Sequence, residues 1–259
     1  MSLELDERQR AMLEEMQVRV WWPRPGAAAT AGDTASVSVR AEPREEPAGD
    51  RRPSLDALDW PALAATVAAC TACGLCSGRK AAVFAAEPSP RQADWLVVGE
   101  PPDELEERAG APFAGPAGQL LDNMLRAVQV TRTGSGSAGA RLSNVVKCRT
   151  APARNPQADE LASCAVYLRR EIALVQPKVI LAMGRFAALS LLGAGNPELA
   201  GLPFGKLRGQ VHRYHGVPLV VTYHPARLLR AQEDKAGAWA DLCLAQGVAR
   251  AAPAQAEPR

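Results

Sequence analysis

The sequence has almost no excess of either charge, because its 259 residues include 30 Lys and Arg against 28 Asp and Glu. A strongly basic domain would indicate a nucleic-acid binder by its net charge alone, so any DNA-binding surface here has to come from local clustering of cations. No stretch approaches the roughly 20 apolar residues of a membrane span. The first residues also lack the apolar core and the small-residue cleavage site of a signal peptide. We therefore expect a cytoplasmic protein.

Cysteines are few, and their spacing favours a metal site over disulfides, which a reducing cytosol disfavours. Cys70 and Cys73 form a close pair at ligand spacing, whereas Cys148 follows a predicted strand and Cys164 lies on a predicted helix. Four such thiolates suit either a tetrahedral zinc site or a four-iron cluster, and the chemistry alone does not separate the two. The alternative is that Cys148 and Cys164 are ordinary core residues, because free cysteine is often buried.

Two further cysteines complete the set. The run Cys73-Gly74-Leu75-Cys76 is a second C-x-x-C pair, so Cys76 adds a fifth candidate thiol. Cys243 lies in an apolar helical pattern, which favours a place in the core.

Composition divides the chain into four parts. We predict a short N-terminal segment over residues 1–22, a flexible linker rich in Ala, Pro and Gly over 23–55, one enzyme domain over 56–250 and a disordered tail over 251–259. The linker has few large apolar residues, so it cannot bury enough surface to offset the entropy of ordering.

Apolar strands alternate with helical patterns through the enzyme domain. Predicted strands cover residues 95–98, 142–146, 179–183 and 219–222, and predicted helices cover 56–70, 118–128, 159–175, 185–192 and 235–248. This alternation predicts a mainly parallel sheet covered by helices on both faces. The ligand site of such a sheet lies beyond the carboxyl ends of its strands. Three predicted strands carry or precede polar residues with side chains suited to catalysis or binding, namely Glu100, Asn144 and His224.

Six short motifs follow one another between residues 64 and 244. They are Cys70-x-x-Cys73-x-Leu75-x-x-x-Arg79, Gly99-Glu100-Pro101-Pro102, Gly110-x-Pro112-Phe113-x-Gly115-x-x-Gly118-Gln119-Leu120-Leu121, Asn144-Val145-Val146-Lys147-Cys148-Arg149, Pro177-Lys178-Val179-Ile180 and Thr222-Tyr223-His224-Pro225. Each motif is weak alone, but their order and spacing make the set highly specific. Together they resemble the family 4, or iron–sulfur type, uracil-DNA glycosylases.

The resemblance implies a three-layer α/β/α sandwich with a central, mainly parallel sheet. It implies a base excision repair enzyme that hydrolyses the N-glycosidic bond of uracil in DNA, with a structural [4Fe–4S] cluster on Cys70, Cys73, Cys148 and Cys164. Cys76 would then be a spare thiol. The implied partner is uracil-containing DNA, which places the protein in the bacterial cytosol and on the nucleoid when bound. We expect a monomer, because one glycosylase pocket needs no symmetry mate.

Four residues match the family's active site. Phe113 matches the aromatic residue that stacks on a flipped base, and Asn144 matches the amide that reads uracil through N3–H and O4. His224 matches the histidine that hydrogen-bonds uracil O2 as negative charge forms there. Glu100 matches a carboxylate that positions or activates water, or that braces its loop. The structural alternatives are a core Phe and a strand-end Asn that caps a turn.

The sequence departs from the family at Asp103, where the family has glycine. Glycine would allow a positive φ and a close approach to DNA, whereas Asp adds a Cβ atom and a negative charge beside phosphates. The alternative function is therefore a catalytically weak relative of the same fold that binds uracil or another lesion. A zinc-stabilised interaction module is a further alternative.

Cations near the motifs are candidates for contacts with the phosphates that flank a flipped base. A solvated charged face is the alternative for each of them. The candidates are Lys147, Arg149, Arg154, Arg227 and Arg230.

The N-terminal segment is a separate candidate for docking. Residues 10–21 loosely resemble the N-terminal peptide by which the psi subunit of the bacterial polymerase III holoenzyme binds the clamp loader, and aromatic residues such as Trp21 dominate binding hot spots. The alternative, which we favour, is a disordered tail or a helix packed on the domain. If the segment docks, deletion of residues 1–22 should abolish capture of the clamp loader in a pull-down. Unchanged capture would exclude docking.

Overall fold

The computed structural model describes residues 55–84, 92–151, 154–193 and 197–252. The predicted N-terminal segment and all but the last residue of the predicted linker lie outside these ranges. Of the predicted tail only Ala251 and Ala252 lie inside them: the last helix continues through Ala251, and Ala252 caps it. Within the described ranges, no helix is long and apolar enough to cross a membrane.

Five strands and nine α-helices make up the described part of the domain. The strands are β1 (Ala93–Gly99), β2 (Gly136–Asn144), β3 (Val179–Met183), β4 (Val211–Tyr214) and β5 (Val217–Thr222). The helices are α1 (Trp60–Ala68), α2 (Glu104–Ala109), α3 (Gly115–Ala127), α4 (Ala158–Val175), α5 (Arg185–Gly193), α6 (Pro197–Ala200), α7 (Phe204–Leu207), α8 (Pro225–Leu228) and α9 (Lys235–Ala251). Single 3-10 turns are formed by Leu55–Ala57, Gly74–Ser77 and Gln232–Asp234.

The five strands form one sheet in the order β2-β1-β3-β5-β4. The first four strands run parallel, and β4 pairs antiparallel with β5 at the edge. Gly99 at the end of β1 lies opposite Asn144 at the end of β2, and Met183 lies opposite Thr222. The predicted mainly parallel sheet is confirmed.

Apolar side chains on the two faces of the sheet form two separate cores, because successive residues of a strand point to opposite faces. On one face, Leu96 and Val98 pack with residues of α1, α4 and α5. On the other face, Trp95 and Val97 pack with residues of α3 and α9. The protein is therefore the three-layer α/β/α sandwich that the sequence predicts.

Local signals explain where the predicted elements differ from the observed ones. The predicted helix over residues 56–70 is divided, because α1 begins only at Trp60, where the Asp59 carboxylate accepts the Ala62 N–H at 3.0 Å. Strand β2 begins at Gly136 and ends at Asn144, earlier at both ends than predicted. Its first residues are small and exposed, so they give little apolar signal.

Candidate active site

The strand order brings Glu100, Asn144 and His224 to one edge of the sheet. Glu100 follows β1, Asn144 ends β2 and His224 follows β5, while β3 lies between β1 and β5. The carboxyl ends of these parallel strands share one edge, where a doubly wound sheet places its ligand site. The structure therefore brings together all four residues assigned to the active site, with Phe113 supplied by the loop before α3.

Phe113 is held in a strained backbone conformation. Its φ is 53°, in the left-handed region that non-glycine residues rarely adopt, and its side chain is 2% exposed. The ring lies on Gly99, where a Cβ atom would come within 2.6 Å of it, and a Cβ atom on Gly118 would lie 1.7 Å from the Phe113 carbonyl oxygen. Two glycines thus make room for this aromatic ring and its backbone.

Arg132 supports the same loop from the other side. Its guanidinium donates to the carbonyl oxygens of Phe113 at 3.1 Å and Gly118 at 2.9 Å, and it pairs with the Asp122 carboxylate. These bonds satisfy carbonyl groups around the strained residue, so they fix the position of the aromatic ring.

Asn144 is buried with its amide in one orientation. The NH₂ group donates to the Glu100 carbonyl oxygen at 2.9 Å and to the Glu106 carboxylate at 3.2 Å. Its Oδ1 atom has no hydrogen-bond partner within the described part of the chain. The side chain therefore presents an unpaired acceptor, whereas the NH₂ group that was expected to read O4 is already bonded within the protein.

Glu106 connects the two substrate-binding candidates, although it was not among the residues predicted from the sequence. Its buried carboxylate accepts the N–H groups of Phe113 and Asp103 as well as the Asn144 amide. Burial raises the pKa of Glu106, although these hydrogen bonds act to lower it. The pattern Asp103-x-x-Glu106 is a capping-box signature that could have identified it.

Asp103 has a structural role that a glycine could not fill. It is the N-cap of α2 with φ −90°, and its carboxylate accepts the Glu106 N–H at 2.9 Å. Positive φ is therefore not needed here, and the departure from the family glycine is compatible with the fold.

His224 is held as a neutral imidazole. Its Nδ1 atom accepts the Ala226 N–H at 3.3 Å at the start of α8, so the proton of a neutral ring resides on Nε2. Burial lowers the pKa of His224 to about 4, although the Asp103 carboxylate acts in the opposite direction. The imidazole stacks on Phe113, with ring centroids 5.3 Å apart and planes inclined by 19°. His224 therefore offers an uncharged Nε2–H donor beside the aromatic ring.

The Glu100 carboxyl group lies at the N-terminus of α5. It accepts the Phe186 N–H at 2.9 Å. Burial raises the pKa of Glu100 to about 7, although hydrogen bonds from the backbone of Phe186, Ala187 and Arg185 lower it. The geometry agrees with a bracing role, one of the two roles left open by the sequence.

A second candidate site is a pocket lined by cysteines. The four predicted ligands Cys70, Cys73, Cys148 and Cys164 line it together with Cys76. Hydrogen-bond donors reach three of the sulfur atoms: the Arg79 guanidinium reaches Cys148 at 3.0 Å, the Lys147 N–H reaches Cys164 at 3.3 Å, and the Ala72 N–H reaches Cys70 at 3.5 Å. Sulfur atoms that ligate iron–sulfur clusters commonly accept such bonds.

The candidate ligands in this pocket are thiols, a donor type that zinc sites and iron–sulfur clusters share. Among the described residues, no three His, Cys, Asp or Glu side chains are close enough together to hold one metal ion. The five thiols of the pocket supply the four sulfur ligands that a four-iron cluster requires.

Most of the predicted phosphate-binding cations already have carboxylate partners. The prediction is wrong for Lys147, which is 2% exposed and forms a buried ion pair with Glu171. The ammonium group of Lys147 also donates to the Asn144 carbonyl oxygen at 3.1 Å. Arg149 pairs with Glu107, Arg154 with Glu160 and Arg227 with Asp234.

Comparison with known proteins agrees with this arrangement. The family model described as the uracil DNA glycosylase superfamily matches residues 86–244, which is more than half of the chain. The chain belongs to this superfamily. Relatives named type-4 uracil-DNA glycosylase place it in family 4, as the motifs predict.

Three of these family 4 relatives show the extent of the match. The protein of Saccharolobus solfataricus is 34% identical over 179 residues, which cover 68% of this chain and 78% of the relative. The protein of Pyrobaculum aerophilum is 37% identical over 142 residues, covering 52% and 67%. The protein of Thermotoga maritima is 35% identical over 141 residues, covering 54% and 68%.

Glu106→Ala should destabilise this family 4 member by about 2–3 kcal/mol or more, because the Phe113 N–H, the Asp103 N–H and the Asn144 amide all lose their acceptor. Glu104→Ala on the same helix is the matched control. Glu104 forms an exposed i,i+4 pair with Arg108, so its loss should cost less than about 0.5 kcal/mol. Urea unfolding of the three proteins measures both effects. Equal midpoints for the two variants would contradict the role assigned to Glu106.

Glu100→Gln should alter how stability depends on pH. Because the folded-state pKa of Glu100 is raised from 4.5 to about 7, its contribution is present below pH 4.5 and is lost as pH rises through 7. Wild type should therefore lose stability relative to Glu100→Gln over this range, by up to about 1.4 kcal/mol per pH unit. His224 has the opposite dependence but is present in both proteins, so the difference isolates Glu100. A constant difference between pH 4 and 8 would contradict the raised pKa.

Proposed function

We propose that this chain is a uracil-DNA glycosylase of base excision repair, which hydrolyses the N-glycosidic bond of uracil and leaves an abasic site. The observation that carries the proposal is the Asn144 amide, held with an open acceptor beside Phe113 and His224 in a member of family 4. The partner is DNA that contains uracil, and the enzyme acts as a monomer in the cytosol.

A base inside a duplex is out of reach, so the nucleotide must be turned out of the helix at a cost of a few kcal/mol. Phe113 offsets part of this cost by stacking on the uracil ring. Centroids 5.3 Å apart are in direct contact and leave no room for a base between Phe113 and His224. Binding of uracil on Phe113 therefore requires the Phe113 and His224 rings to separate, while the anchored backbone of Phe113 stays in place.

Asn144 discriminates uracil from cytosine through the fixed orientation of its amide. Its Oδ1 atom accepts the N3–H of uracil, whereas cytosine presents an acceptor at N3. Because Glu106 and the Glu100 carbonyl hold the NH₂ group, the amide cannot turn to offer cytosine a donor without losing both bonds. Leaving buried polar groups unpaired gives stronger rejection than a difference in shape.

His224 stabilises the leaving group. Bond cleavage places negative charge on uracil and positive charge on the sugar, so a donor to O2 favours the transition state over the ground state. The neutral ring donates from Nε2, because the Ala226 N–H occupies Nδ1. Its lowered pKa keeps it neutral at physiological pH, so that it acts by hydrogen bonding and not as an acid.

Glu100 acts on the same reaction from the end of β1. Its carbonyl oxygen holds Asn144, and its carboxyl group braces the loop against α5. With a pKa of about 7, the carboxyl group is also partly ionised at neutral pH, as a group that orients or activates water must be.

Cys70, Cys73, Cys148 and Cys164 are the residues that would hold a [4Fe–4S] cluster. When bound, the cluster would join distant segments of the chain, which is a structural role. Cys148 lies only a few residues beyond Asn144, so the ligand segment is continuous with the substrate-binding strand. The shared pocket and the hydrogen bonds to sulfur support a site of four thiolates, and the resemblance to the iron–sulfur type glycosylases favours a cluster over zinc there.

The alternative is a catalytically weak relative of the same fold that binds uracil or another lesion. Asp103 is the observation that motivates it, since this exposed carboxylate acts on His224 and stands where DNA phosphates would approach. Release of free uracil from DNA separates the two functions, because a binding protein retains the base.

Full-length protein, purified anaerobically, should create an alkali-labile site in an oligonucleotide that carries one uracil. His224→Ala should slow single-turnover cleavage by about 10²–10³-fold, the usual loss for one donor to a developing anion. Asn144→Ala should lower the preference for uracil over cytosine as well as the rate. His215→Ala, in the turn between β4 and β5, is the control and should retain full activity. Cluster-loaded protein that makes no alkali-labile site would favour the binding relative, with Asp103→Gly as the next variant.

A further inference from the structure

The cysteine pocket holds one thiol more than a four-iron cluster needs. Cys76 lines it together with the four assigned ligands. Cys243 is exposed on α9, so the prediction of a place in the core is wrong for it. The assigned reaction and cluster leave Cys76 without a role. Cys76 is therefore a fifth thiol beside four assigned ligands.

Cys70 and Cys76 stand in equivalent positions on either side of Cys73. Cys70-Thr71-Ala72-Cys73 and Cys73-Gly74-Leu75-Cys76 have the same spacing, with Cys73 common to both. Cys70 follows α1, where its N–H donates to the Val67 carbonyl oxygen at 3.2 Å. Cys76 lies one 3-10 turn beyond Cys73, and its N–H donates to the Cys73 carbonyl oxygen at 3.3 Å. Cys73 can thus pair with either neighbour as a C-x-x-C unit.

One cation faces both of these thiols. Arg79 donates to the Cys148 sulfur, and the sulfur atoms of Cys70 and Cys76 also act on its charge. Cys70, Cys73 and Cys76 are all half-buried, in contrast to Cys148 and Cys164, which are buried. Cys70 and Cys76 therefore have similar exposure, and both act on the charge of Arg79.

We propose that Cys76 is a reserve ligand that replaces Cys70 on the cluster when the Cys70 thiol is lost. The inference rests on the proposed cluster. In the exchange, the Cys76 thiol releases its proton to water and forms the Fe–S bond that Cys70 no longer makes. No electron is transferred, and the cluster keeps four thiolate ligands. Cys148 and Cys164 have no such reserve, because no second cysteine lies near either of them in the sequence.

The test measures iron per chain and the visible absorption of the cluster in full-length protein purified anaerobically. Wild type, Cys76→Ala and Cys70→Ala should each hold about four irons per chain. The double variant Cys70→Ala/Cys76→Ala should lose at least about nine-tenths of that iron, and so should Cys148→Ala. Cys243→Ala is the control for loss of a cysteine outside the pocket. Alanine is used because it offers the iron no oxygen atom.

Each outcome decides between the two proposals. Wild type that binds no iron would remove the cluster proposal itself. Iron-loaded wild type beside a Cys70→Ala variant that is colourless or insoluble would overturn the reserve role alone, because a working substitute should preserve both cluster and fold. A double variant that keeps its iron would also overturn it, since Cys76 would then not be the substitute.

Discussion

The site depends on the parallel alignment of β2, β1, β3 and β5 as neighbours in one sheet. Because these strands run in the same direction, Asn144, Glu100 and His224 arrive at one edge although they are far apart in the sequence. The register places Gly99 opposite Asn144, so the residue that follows β1 can hold the Asn144 amide through its carbonyl oxygen. The strand order of the sheet thus determines where the residues of the candidate site meet.

Buried polar contacts then convert this proximity into fixed geometry. Glu106 fastens the Phe113 loop to Asn144, and Lys147 fastens the Asn144 backbone to Glu171 on α4. Both carboxylates are almost fully buried, and an unpaired charge there would be very costly. Loss of any one member would leave a buried polar group without its partner. The complete network therefore keeps the Asn144 amide in one orientation.

Elements with a clear apolar pattern, and residues that lie inside a motif, could be predicted from the sequence. The prediction for β3 matches the observed bounds, because that strand is a continuous buried apolar run. Glu106 was missed because the acidic run around it is typical of a solvated helix, and only the tertiary contacts show that it points inward. Lys147 was assigned to phosphate for the same reason: its partner Glu171 lies on a helix that follows later in the chain. Asp103 was judged by the missing glycine, whereas the local capping contact determines its role.

The order of these parts along the chain has a consequence for biosynthesis. All five cysteines of the pocket, with Phe113 and Asn144, precede β3, whereas His224 follows β5. Chains emerge from the ribosome with their N-terminal parts first. A nascent chain thus presents all four proposed sulfur ligands before His224, the proposed donor to the leaving uracil, has been translated. Delivery of iron to the proposed cluster can therefore begin on a polypeptide that still lacks this histidine.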